Sequence, residues 1–216
     1  MTAIDLAYEE AGSDEGDRVP LLLLHDLAGD RGLWRPLIPL LADHRRVIAA
    51  DLRGHGESPA PPLNDGYDAG TLAEDCLQLL DGIDIERFAV AGSDLGGVIA
   101  LELALAAPER VAAVVLSDAT PAPGWPPADA LVAGFIGGSH ELLDRRDRSA
   151  DVATLAAPQL WVAGALAPLR EATTHASTLS PLGRLELVPR SGADCAWQRA
   201  ELWAVAVNAF LDDATA

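Results

Sequence analysis

Residues 88–97, Phe-Ala-Val-Ala-Gly-Ser-Asp-Leu-Gly-Gly, constrain what this chain can fold into more than any other stretch. An apolar run of strand type climbs to a polar residue between small neighbours, and an Ala/Leu-rich helical run, 98–107, follows at once. A turn this tight leaves no room for a Cβ on the residues flanking its apex. That fixes the register. With Ser93 at the apex the flanks are Ala91 and Leu95, and a leucine does not fit. With Asp94 they are Gly92 and Gly96, which do. The turn is therefore expected to present Asp94.

The rest of the chain alternates between two periodicities. Residues 4–10 read as an edge strand, and 19–24 as a continuous apolar run of the kind that a parallel sheet buries on both faces. Helical spacing places Trp34, Leu37 and Leu41 on one face of 33–41. Strand runs follow at 47–50, 111–116, 158–163 and 185–188, with helical patterns at 72–80 and 203–211. Alternation of this kind predicts an α/β fold with a doubly wound, mostly parallel sheet and its site at the carboxyl ends of the strands. At 216 residues the chain reads as a single domain, 1–216. Residues 119–154 break the pattern with a proline cluster and a charged stretch, and read as a short insertion over the site.

Charge and composition exclude several functions. The formal net charge is -18, and all 15 basic residues are arginine, which argues against nucleic acid and anionic membrane surfaces as partners. No apolar run nears the length that spans a bilayer, and no secretory leader pattern opens the sequence, so a cytoplasmic location is expected. Cys76 and Cys195 supply neither a disulfide framework nor a metal-ligand spacing. No cofactor or metal is implied. A small-molecule substrate is expected, with a homodimer as one way of covering the short insertion.

Two further stretches give the pattern a family. Asp51-Leu52-Arg53-Gly54-His55-Gly56-Glu57-Ser58 matches the Asp-x-Arg-Gly-x-Gly-x-Ser loop of the α/β-hydrolases, and the apolar run ending at His25 resembles the strand that ends in that family's His-Gly. With the turn at Asp94, which resembles the family's nucleophile elbow, the resemblance covers residues 4–211. It implies the α/β-hydrolase fold with 119–154 as a short lid. An aspartate at the elbow is similar to the arrangement in haloalkane dehalogenases and epoxide hydrolases, where the carboxylate attacks an sp³ carbon and a histidine-activated water hydrolyses the resulting ester.

The remaining slots depart from the family. The turn after the penultimate strand carries Ala167 where the resemblance implies an acid, and the turn after the last strand carries Ala193, followed by Asp194, where it implies a histidine. Asp26 replaces the glycine of the His-Gly pair, placing a carboxylate beside the backbone N–H groups of Leu27 and Leu95 that the resemblance assigns to an oxyanion hole. Asp26 and Asp94 are therefore expected to act as a carboxyl pair in one pocket, with His25, Ser93, Asp118, Trp125, His140, Ala167, Ala193 and Asp194 around them. His25 reads as a loop-orienting residue, His55 as part of the Gly-rich loop, His44 and His175 as solvated, and 145–148 as a solvated charged face.

Three functions fit. The first is an acid/base step of lyase, isomerase or cyclase type on a small apolar metabolite, as in secondary metabolism, centred on Asp94. The second is a dehalogenase, epoxide hydrolase or esterase with an unusual triad. The third is a non-catalytic binding relative.

Overall fold

The computed structural model describes residues 4–13, 18–62, 66–122 and 146–215. Seven strands form one sheet: β1 (Tyr8–Ala11), β2 (Leu21–Leu24), β3 (Val47–Ala50), β4 (Phe88–Ser93), β5 (Val111–Ser117), β6 (Gln159–Gly164) and β7 (Gly183–Val188). Their order is β1-β3-β2-β4-β5-β6-β7. Only β1, against β3, runs antiparallel; the other neighbours are parallel. The doubly wound sheet expected from the alternation is thus present, and the chain carries the α/β-hydrolase topology.

Each central strand divides its side chains between two cores, as the two-residue period requires. Leu22, Leu24, Ile48, Ala50 and Val90 pack with α2 (Ala69–Gly82) and α3 (Leu95–Ala106). Leu21, Leu23, Val47, Ala49, Ala89 and Ala91 pack with Trp34, Leu37, Leu41 and the C-terminal helix. Both faces are covered, which is why the strands read as unbroken apolar runs.

The helices depart from the sequence reading in particular places. Residues 33–41 form a 3-10 turn (Arg31–Trp34) followed by α1 (Ile38–Ala42), not one helix. Pro36 and Pro39 lack the backbone donors a continuous helix would need there. A helical run at Arg170–Ser177 went unrecognised because only Thr173, Ala176 and Ser177 are buried, so no apolar stripe marks it. Cys195 opens a short helix, Cys195–Gln198, and the last helix spans Ala200–Ala214. Of the insertion expected to form a lid, 123–145 lies outside the described residues, and with it Trp125 and His140. Arg148 is not merely solvated: its guanidinium grips both carboxylate oxygens of Glu102 on α3, at 2.7 and 2.6 Å, and so pins the end of the insertion to the core.

Among the described residues no helix is long and apolar enough to cross a membrane. The Gly-rich loop after β3 is fixed from within. Asp51, fully buried, accepts from the N–H groups of Arg31 and Glu57 and pairs with the Arg31 guanidinium.

Candidate functional site

Five neighbouring parallel strands end on one rim, and the chain leaves each of them into the same cavity. β2 delivers Asp26, β4 Asp94, β5 Asp118, β6 Ala167 and β7 Ala193 and Asp194. The ladder continues past the strands. Asp94 N–H donates to Ser117 O at 2.9 Å, Asp118 N–H to Val162 O at 2.8 Å, and Ala165 N–H to Val188 O at 2.9 Å. The cavity has a volume of about 280 Å³, and Leu27, Ala28, Pro168 and Leu169 complete its lining.

The elbow is as tight as its spacing implies. A Cβ on Gly92 would lie 2.0 Å from Gly96 O, and one on Gly96 2.1 Å from Leu24 O. Asp94 sits at φ 49°, ψ -108°, and its side chain does not cap α3. That conformation costs a non-glycine residue about 1–3 kcal/mol and persists only where its surroundings enforce it. Asp118 and Asp194, at φ 47° and 60°, share the positive-φ backbone. Three of the five described non-glycine residues with positive φ thus line this one cavity. A short carboxylate tolerates the left-handed region better than most side chains do. The loops after β6 and β7 are held together by a second close approach, because a Cβ on Gly164 would lie 2.0 Å from Gly192 O.

The carboxyls differ in their surroundings. Asp26 accepts from Ala28 N–H at 2.9 Å, closing an Asx turn, and still lines the cavity. Burial pushes its pKa up, and the neighbouring Asp194 carboxylate pushes it further. Asp94 lines the same cavity as Asp26, and the loop after β7 adds Asp194 as a further carboxylate beside it. Asp118 is also raised by burial, against the N–H groups of Cys195 (3.2 Å) and Gly164 (3.5 Å), which favour its ionised form.

Two expected pocket residues lie elsewhere. Ser93 is 1% exposed within β4 and does not line the cavity, because alternation along the strand turns it away from the apex. His25, fully buried, is walled off by its own hydrogen bonds. Leu52 N–H donates to Nε2 at 3.0 Å, so Nδ1 carries the proton and donates to Asp26 O at 2.6 Å. Leu95 is buried outside the lining, but its N–H opens α3 and has no intrahelical acceptor. Ala28, Pro168 and Leu169 were missed, since apolar loop residues carry no chemical signal in sequence.

Burial lowers the His25 pKa to about 4. The unfolded chain therefore takes up a proton near pH 6.5 that the folded protein refuses until about pH 4. Stability is expected to fall as pH drops through that window, by about 3 kcal/mol in all, and to level off below it. Denaturant unfolding at pH 7 and pH 4.5 checks this: His25→Asn should remove most of the difference. An unchanged pH dependence in that variant would place the titrating group elsewhere.

The chain belongs to a known class. The alpha/beta hydrolase fold family matches residues 19–204, so this protein is a member of that family. Among relatives, it is 45% identical over 111 residues to the dihydrolipoyllysine-residue acetyltransferase component of the acetoin cleaving system of Pseudomonas putida, covering 51% of this chain and 29% of that one. It is 43% identical over 115 residues to RutD of Variovorax paradoxus, named as a carbamate hydrolase, covering 53% and 42%. It is 35% identical over 109 residues to a fluoroacetate dehalogenase from a Burkholderia species, covering 49% and 36%. The matches span less than half the length of these relatives. In fold, the chain superposes on a thermophilic esterase of Thermogutta terrifontis with a TM-score of 0.87 and 21% identity, over 99% of this chain and 95% of that one.

Proposed function

We propose that the protein is a hydrolase in which the Asp94 carboxylate attacks an electrophilic sp³ carbon of a small substrate and a second carboxylate, not a histidine, activates the water that completes turnover. The observation carrying this reading is the elbow itself: Asp94 is held at φ 49° on the floor of a cavity whose described lining contains four aspartates and no histidine. The company of a carbamate hydrolase and a dehalogenase among the relatives supports hydrolysis over the lyase, isomerase or cyclase step favoured from the sequence.

The steps balance. An Asp94 oxygen bonds the substrate carbon, and the leaving group departs with its electron pair. Water then adds to the Asp94 carbonyl carbon, giving up a proton to a cavity carboxylate. Collapse breaks the bond from the Asp94 carbonyl carbon to the alkyl oxygen. The departing oxygen takes the intermediate's hydroxyl proton, which frees the alcohol and the Asp94 carboxylate, and the cavity carboxyl gives its proton to solvent. Asp26 suits the role of base, because its raised pKa brings it toward neutral pH. That role also resolves a problem of sign. An ionised Asp26 beside an oxyanion held by Leu95 N–H and Leu27 N–H would oppose it, but taking the water's proton makes Asp26 neutral as that negative charge forms.

The same lining sets the charge of the substrate. With four carboxyls and no basic residue among the described lining, neutral or cationic substrates are favoured over anions. Size-matched alkyl halides or epoxides bearing an ammonium, no charge or a carboxylate provide the test. The carboxylate series should have kcat/KM at least about tenfold below the other two. Preference for the anionic series would overturn this reading of the cavity.

A further inference from the structure

Among the described residues, the last strand of the sheet, β7, leaves one edge unpaired. Hydrogen bonds from the β6 side reach alternate residues of β7 and its flank: Gln159 N–H donates to Leu182 O and Ala165 N–H to Val188 O. Counting along the strand in twos, the even residues 182–188 turn their backbone groups to β6, and 183, 185 and 187 turn theirs to the open edge. Gly183 N–H is already used by Ser180 O at 3.1 Å, leaving its carbonyl. Leu187 is 38% exposed, and Leu182, just before the strand, 42%. No described strand lies beyond.

We propose that this edge is the interface of a homodimer, in which β7 pairs antiparallel with β7 of a second copy about a two-fold axis at Leu185. The charges choose that register. With Leu185 opposite its own copy, Arg184 falls opposite Glu186 of the other chain, twice, in the closely spaced non-hydrogen-bonded pairs. Sliding by one two-residue step centres the axis on Glu186 or on Arg184 and sets like charges face to face. In the chosen register Leu185 N–H and C=O meet their own copies, Leu187 N–H meets Gly183 O, and the Leu187 side chain crosses a glycine that leaves it room. Arg184 is already extended along this face, paired with Asp213 at 2.5 Å and lying 5.7 Å from the Phe210 ring. A strand whose charges read Arg-Leu-Glu about its midpoint is self-complementary only under a two-fold, so the partner is a second copy and not a foreign strand. This surface is the sheet edge, distinct from the lid at 119–154 to which the sequence reading assigned a partner.

Sedimentation velocity across the micromolar range tests the proposal on the intact protein. The wild type is expected to run as a reversible dimer. Arg184→Glu and Glu186→Arg alone should each weaken it about tenfold or more, and the double exchange should restore it to within about threefold. Far-UV circular dichroism of all three variants confirms the fold, and the double variant controls for loss of the Arg184–Asp213 pair. A wild type that stays monomeric throughout, or a dimer indifferent to the single reversals, would overturn the interface.

Discussion

Gly96→Ala is expected to destabilise the protein strongly. The new methyl carbon would lie 2.1 Å from Leu24 O, and 2.5 Å from the Leu24 carbonyl carbon, both backbone atoms of a central strand. Relief requires moving α3 away from the sheet or breaking the register in which Leu24 lies opposite both Ala50 and Gly92. Overpacking that shifts backbone costs about 1–3 kcal/mol, and more where nothing can yield. About 4 kcal/mol is expected here, a large part of a domain's 5–15. Gly82→Ala is the internal control: nothing lies within 4 Å of its added Cβ, near the end of α2, and the substitution should be neutral or slightly stabilising. Urea unfolding and soluble yield of the two variants give the comparison. A Gly96→Ala protein within about 1 kcal/mol of wild type would mean that α3 is not seated on β2 as described.

That glycine also shows what was legible beforehand. Gly92 carries its meaning locally, because its added Cβ would meet Gly96 O only four residues on, so the apex could be assigned to Asp94 without a structure, whereas the atom that excludes a side chain at Gly96, Leu24 O, lies on another strand. The strands were legible for a similar reason: burial on both faces leaves an unbroken apolar run, as at Val47–Ala50, where sequence reading and structure coincide. What failed was non-local. The helix at Arg170–Ser177 shows one weakly buried side and so lacks an apolar stripe. The effect of Asp194 on Asp26, from 168 positions later in the chain, was not legible, because only the strand order brings them together. His25 looked like a pocket residue because it precedes Asp26, yet the amide of Leu52, on the loop after β3, fixes its tautomer and turns it inward.

The largest functional effect is expected at Asp94. Replacement by Asn keeps the shape and removes the attacking charge, so kcat/KM should fall by about 10⁴-fold or more. Asp94→Gly should remove activity equally while raising stability by about 1 kcal/mol, because glycine adopts φ 49° without the strain an aspartate stores there. The two variants together separate a strained functional residue from a structural one. If Asp94 served only to hold the elbow, both would be destabilised and neither would lose turnover.

Isotope labelling decides whether Asp94 forms the covalent intermediate. Turnover in ¹⁸O-water, followed by mass spectrometry of the peptide containing Asp94, reports which oxygen enters which molecule. Attack by Asp94 predicts that a single turnover gives an unlabelled alcohol, its oxygen drawn from the carboxylate, while label accumulates in Asp94 over repeated cycles. Label appearing in the product of the first turnover, with none in the peptide, would mean that water attacks the substrate directly and would contradict the mechanism.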